Sequence, residues 1–261
     1  MKRILLFALI AVSAVLTAKT IECEGTYNGH LQGIDSDGQF IYWSFTSAIV
    51  KTDMEGKIVL KVDATRHSGD PCLLNGKLYV PVNQGKFNKP VGASKDSIHV
   101  YDAETLKLLK TVPITDYPHG AGAIGTFNNH LFLTGGLTEG SPANIIIEYT
   151  EELEFVKRHE IPGYTKLGIQ TLKRMHGFWW AGIYDKPRVL LCDDNFALIS
   201  RLDGPSVAVG MALLKDGTVL VARTKRQPHP DDPTKFFWRM LLIWFFISMR
   251  VAPLPFSLPR K

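Results

Sequence analysis

The sequence predicts an all-β fold, a β-propeller built from four-stranded blades. Three observations carry this: a hairpin that returns along the chain, turn residues suited to tight hairpins, and the lack of any sustained helical period. The pattern of apolar run, tight turn, apolar run is first met as LQGIDSDGQFIYWSF (31–45). It returns as GDPCLLNGKLYVPV (69–82), AGAIGTFNNHLFLTG (121–135), LGIQTLKRMHGFWWAGI (167–183) and VGMALLKDGTVLVAR (209–223). The turns are Asp37-Gly38, Asn75-Gly76, Asn128-Asn129, Asp216-Gly217 and, as a weaker match, His176-Gly177. Gly and Asn accept the positive φ of a two-residue hairpin turn, and Asp tolerates it. The flanking runs are rich in β-branched and aromatic residues, which suit a pleated, half-buried surface.

Four of the five copies continue into a second hairpin. These are AIVKTDMEGKIVLKVD (48–63), SIHVYDAETLKLLKTV (97–112), NIIIEYTEELEFVKRHEI (144–161) and RVLLCDDNFALISRL (188–202). Asp53, Asp102 and Asp193 stand where the first strand of each ends, with Thr150 at that place in the third copy. An Asp there accepts hydrogen bonds from the turn backbone, so these acids read as structural. Two hairpins make four strands per repeat. Gly33, Asp70, Gly122, Gly168 and Gly210 then hold corresponding places, 37 to 52 residues apart, which is blade length. Five repeats are countable, the fifth incomplete. Residues 20–29 are expected to supply the outer strand of the last blade and close the ring.

The two ends of the chain read differently. Residues 1–18 combine Lys2 and Arg3, an apolar run and a small-residue stretch ending at Ala18, the pattern of a secretory signal. The run is too short for the roughly 20 residues a bilayer span needs, so a secreted or periplasmic chain is expected. At the other end, residues 236–261 contain FFWRMLLIWFFISM and then Pro253, Pro255 and Pro259, with no acid. A buried strand, an interfacial membrane contact and a loss of the native reading frame all fit this tail. The expected organisation is signal 1–18, propeller 19–235, and an atypical tail 236–261.

The formal charge of +5 comes from the ends. Residues 19–235 hold 24 bases and 25 acids, so no basic field is present to hold nucleic acid. Cys23, Cys72 and Cys192 match no zinc spacing, and Cys72 and Cys192 lie in apolar strands as buried free thiols would.

The stretches NGKLYV (75–80), IHVYDAETLKLLKTV (98–112) and LKDGTVLVA (214–222) resemble the broad superfamily of bacterial secreted propellers, which takes in the lactonase-like, quinoprotein-like and NHL-type proteins. The resemblance spans about residues 31–223 and implies the blade. Such propellers include hydrolases, dehydrogenases and binding proteins, so it implies no single activity.

Chemistry is expected where the inner strands begin, because their side chains converge on one axis. Three successive copies place a histidine three residues ahead of the Gly/Asp position: His30, His67 and His119. Gln32, Asp70 and Gln170 lie close by. One expectation is a site for a divalent metal on the three imidazoles, able to activate water. A second is a polar pocket for a small molecule, glycan or protein partner, and a third is that each histidine only holds a loop. Crowded imidazoles should titrate below the usual range near 6.5. The loops GKFNKPVGASKD (85–96) and TKRQPHPDDPTK (224–235) are binding loops or solvated insertions, and Phe178, Trp179 and Trp180 offer a sugar platform or core. GAGAIG (120–125) lacks the following helix a phosphate loop needs.

Overall fold

The computed structural model describes residues 20–27, 29–229 and 232–245, those from 226 onward as backbone. The expected signal, residues 1–18, and residues 246–261 lie outside the described residues. Among the described residues there is no helix. Twenty strands form five antiparallel four-stranded sheets.

Strand β1 (Thr20–Glu22) stands apart from its sequence neighbours. Blade one is β2 (Leu31–Ser36), β3 (Ile41–Phe45), β4 (Ala48–Thr52) and β5 (Ile58–Asp63). Blade two is β6 (Cys72–Leu74), β7 (Lys77–Asn83), β8 (Asp96–Asp102) and β9 (Leu108–Ile114). Blade three is β10 (Ala121–Phe127), β11 (His130–Gly135), β12 (Ala143–Tyr149) and β13 (Phe155–Pro162). Blade four is β14 (Thr171–Met175), β15 (Phe178–Gly182), β16 (Val189–Cys192) and β17 (Leu198–Leu202). Blade five is β18 (Met211–Leu213), β19 (Val219–His229), β20 (Asp232–Phe245) and, at its outer edge, β1.

The turn chemistry works as the residues demand. Asn75-Gly76, Asn128-Asn129 and His176-Gly177 have positive φ at both positions, the geometry that matches strand twist in a two-residue hairpin. The repeated acids act on backbone: Asp53 Oδ1 accepts from Glu55 and Lys57 N–H at 3.0 and 2.9 Å, and Asp193 Oδ1 accepts from Asn195 and Ala197 N–H, both at 2.9 Å.

The first strands of the blades face one another around an axis, and β18 meets β2 to complete the circle. Five apolar clusters fill the gaps between successive blades. Tyr42 and Ile49 pack on Leu78 and Val80 between blades one and two, and Phe132 and Ile146 pack on Trp179 and Leu190 between three and four. The ring is closed by β1, whose Thr20, Ile21 and Glu22 pair with Ile243, Leu242 and Leu241. The expected outer strand of the last blade is therefore present.

Strand β20 runs into the atypical tail, and of the three readings of that tail a strand is the one its described residues adopt. Its residues 236–245 pair along β19, and its far edge receives β1. The physical reason is an edge on each side: a strand-forming apolar run satisfies the backbone groups of both neighbours. The stretch 224–235 is likewise mostly strand, with β19 running to His229 and β20 starting at Asp232.

Close approach sets the inner ring. Gly33 and Gly122 lie within inner strands, and Asp70, Gly168 and Gly210 lie just ahead of them. A Cβ on Gly33 would come within 2.6 Å of Asp70 Cβ, so only glycine lets blades one and two meet there. Asp70 in turn is stitched to blade three, its N–H donating to Gly122 O at 2.8 Å and its carbonyl accepting from Ile124 N–H at 3.1 Å.

Candidate functional site: the channel mouth

The inner strands all start on one face, and a cavity of about 210 Å³ opens there. Gln32 enters from β2, His67 from the segment leading into β6, and Gln170 from the segment leading into β14. The structure thus brings three of the expected residues to one mouth. Phe87 and Asn88 join them from the loop 85–96, and Tyr184 joins from the segment after β15. The lining includes Gly69, Gly122 and Gly135, and at Gly69 and Gly135 a Cβ would come within 2.2 Å of a backbone oxygen.

His119 serves the mouth indirectly. Its Nδ1 lies 2.9 Å from Lys89 O, and its own carbonyl accepts from Asn88 N–H at 3.0 Å. Asn88 Oδ1 then accepts from Leu137 N–H at 2.9 Å. These bonds hold the loop that delivers Phe87 and Asn88. A solvated insertion would not need them.

The expected three-histidine metal site is corrected by this arrangement. Among the described residues no group of three His, Cys, Asp or Glu side chains is placed to hold a metal. His119 is committed to Lys89, and His67 stacks on Phe87 with ring centroids 5.7 Å apart. His30 is near enough to act electrostatically on His67. Burial, then Arg66 and His30, hold the His67 imidazole below its usual range, which favours its neutral form.

Asp70 is also corrected: it does not reach the mouth. Its side chain is fully buried inside the ring, with Oδ2 accepting from Leu172 N–H at 3.2 Å and lying 3.5 Å from Lys173 Nζ. Oδ1 is buried with no hydrogen-bond partner. Burial pushes the carboxyl up to about 8, against the pull of Lys173. Lys173 is the residue sequence reasoning missed. It sits in β14, in the copy whose turn was the weakest match, and alternation alone places it inside without naming a partner.

A second missed group lies in blade three. Glu148 accepts from His130 Nδ1 and His159 Nε2 at 2.6 and 2.7 Å, joining three adjacent strands. Burial would raise this carboxyl, and the two imidazole bonds outweigh it and hold the carboxyl low. Trp179 and Trp180 are corrected as a sugar platform: both are buried, on opposite faces of blade four.

The amide and ring groups at the mouth are partly committed. Gln170 Nε2 donates to Leu167 O at 2.7 Å, and Gln32 Nε2 is 3.4 Å from Thr46 Oγ1. Each amide carbonyl can accept from a ligand, and Tyr184, 45% exposed, forms an open ring face on the rim.

No family model matches the chain, and no curated protein matches it. Solved structures do match. A gluconolactonase from Xanthomonas campestris aligns with a TM-score of 0.51 at 14% identity, over 81% of this chain and 72% of that one. The Pan2 WD40 domain of Neurospora crassa aligns with a TM-score of 0.48 at 9% identity, over 83% and 89%. BamB from Moraxella catarrhalis aligns with a TM-score of 0.41 at 12% identity, over 85% of this chain and 62% of that one. The likeness to the gluconolactonase is one of fold. The chain is a β-propeller.

Proposed function

We propose that this propeller is a binding protein whose channel mouth takes a small, uncharged, polar molecule, such as one sugar unit of a glycan. One observation carries the reading. Among the described residues the mouth is lined by amides, rings, aliphatic side chains and glycine backbone, with no Asp, Glu, Lys or Arg side chain, and its imidazole is shifted toward the neutral form. A charged ligand would lose its water shell there without a counter-charge. Hydroxyl groups would find acceptors and donors on Gln32, Asn88 and Gln170, and apolar ring faces on Phe87 and Tyr184. The volume suits a ligand of a few heavy-atom rings at most, and concave sites with a few convergent polar groups are where small ligands bind.

Hydrolysis of the lactonase kind is supported less. A cation held by inward acids would need donors of carboxylate type, and the mouth supplies amides and one imidazole.

Saturation-transfer NMR with a panel of neutral monosaccharides and polyols tests the reading. Saturable binding is expected for at least one member, and its loss in both Gln170→Leu and Tyr184→Ala. A panel with no binder, or binding that both variants retain, overturns it. We further propose that the protein acts after export, supported by the pattern of residues 1–18. N-terminal sequencing of the protein outside the cytoplasm should then begin near Lys19, and an intact Met1 would refute this.

A further inference from the structure

The inner strands run in one direction, so residues three or four places further along each of them surround the opposite end of the channel. A second cavity of about 210 Å³ opens there, and its chemistry is unlike that of the first. Lys173 and Arg174 line it with two cations, and Asp35 adds one carboxylate. Asp35 is already committed. Its Oδ1 accepts from Ser36 N–H at 2.9 Å, and its Oδ2 accepts from Leu73 N–H at 2.8 Å and lies 3.7 Å from Lys173 Nζ. Lys173 donates to Pro71 O and faces Asp70 at 3.5 Å.

Arg174 is different. One terminal nitrogen, Nη2, pairs with Asp194, and the guanidinium lies over the Phe127 ring, 4.7 Å from its centroid. Its Nε and Nη1 are buried and have no hydrogen-bond partner. A guanidinium cannot lose its proton to relieve this, and buried donors left without acceptors are rare in native proteins. The cavity beside it is lined by two cations and one carboxylate, with Asp194 and Asp70 meeting those cations from outside its lining. Its volume exceeds the roughly 30 Å³ that one water occupies in the liquid several times over, so it has room for a small polyatomic ion.

We propose that this second mouth binds a small oxyanion, a carboxylate or a phosphate group, whose oxygens accept the free N–H donors of Arg174. Arginine is suited to this because its planar donors match the oxygens of both anions, and Lys173 adds positive charge from the channel side. The site is separate from the uncharged mouth: the two share no lining residue, and neither Asp70 nor Lys173 lines the uncharged one.

The test uses the full chain labelled with nitrogen-15 and follows arginine Nε–H resonances by NMR. Inorganic phosphate, acetate and, at matched ionic strength, sodium chloride are titrated in separate arms. One Nε–H signal, assigned to Arg174 by its loss in Arg174→Lys, should shift saturably with phosphate or acetate and not with chloride. A response to phosphate alone identifies a phosphate site, and one to acetate alone a carboxylate site. The same anion should raise the thermal midpoint of the native chain. In Arg174→Gln that gain should vanish, with affinity weakened about tenfold or more, as expected for lost hydrogen bonds to a charged group. Three results overturn the proposal: no shift of the Arg174 signal, an equal shift with chloride, or a midpoint gain that survives in Arg174→Gln.

Discussion

Replacing Asp70 by Asn isolates one buried proton. The Asp70 side chain is fully buried, its Oδ1 has no hydrogen-bond partner, and its carboxyl is pushed up to about 8 from an ordinary 3.8. Between these two values the folded chain keeps the proton and the unfolded chain has lost it. The folded state therefore binds more protons, and stability falls as pH rises. The contribution is fully present below pH 3.8 and is gone above about 8. At about 1.4 kcal/mol per pH unit, a gap of roughly four units amounts to ~5 kcal/mol. Asn keeps the shape and cannot ionise. The stability of Asp70→Asn minus that of the native chain should thus rise by ~5 kcal/mol between pH 4 and pH 9. Subtraction removes the titrating groups that lie away from Asp70, and Lys173, which faces it, stays within the comparison. The assay is urea unfolding at half-unit pH steps, followed by the fluorescence of the buried Trp43 and Trp179. A difference that stays flat within about 1 kcal/mol would refute the reasoning, because it would mean that burial does not hold the Asp70 proton.

Three further outcomes are expected. Gly33→Ala drives a Cβ into the backbone and side chain of Asp70, so it should cost more than ~3 kcal/mol in thermal unfolding. Gly76→Ala, which meets open space at φ +73°, should cost about 1 kcal/mol. Truncation after residue 238 removes Leu241, Leu242 and Ile243, the partners of β1, and opens the fifth sheet. At roughly 2–4 °C per kcal/mol for a chain of this size, the loss of several kcal/mol should lower the midpoint by about 10 °C or more. An unchanged midpoint would show that the ring closes without them. Cys23, Cys72 and Cys192 are buried free thiols, with Cys23 and Cys192 pushed up to about 12 mainly by burial. A thiol reagent at pH 8 should label none of them in the native protein and all three in urea.

The two mouths show how one ring presents two chemistries. Three of the five inner strands carry an uncharged residue at or just before their start and a charged or hydroxyl residue further on: Gln32 then Asp35, Gly122 then Thr126, Gln170 then Lys173 and Arg174. A strand alternates faces with period two. Position along the strand therefore selects the mouth, and alternation selects channel or core. Lys173 of the buried Asp70–Lys173 pair lines the charged mouth, and neither residue lines the uncharged one.

Local chemistry made the blades legible. Asn-Gly, Asn-Asn and Asp-Gly turns between β-forming runs are short-range signals, and the strands follow from them residue by residue. Gln32, His67 and Gln170 were legible for the same reason, since equivalent places in a repeat return to equivalent places in a ring. The closing strand at residues 20–22 could be foreseen because a blade with a spare edge needs a partner.

Other features depend on residues far apart in the chain. Lys173 finds Asp70 across 103 positions, Phe87 and Asn88 reach the mouth only because His119 and Leu137 hold their loop, and Asp70 is drawn inside by the bareness of Gly33. Residues 236–245 read as foreign to the repeat, yet they have two open edges to satisfy, one from β19 and one from β1. The sequence by itself determined the repeating hairpins, the turns and the face on which the inner strands begin, because these rest on backbone preferences within a few residues. Tertiary structure alone decided which side chains share a charge, which donors are left without acceptors, and which mouth carries the cations, because burial and pairing are properties of neighbours that only closure of the ring brings together.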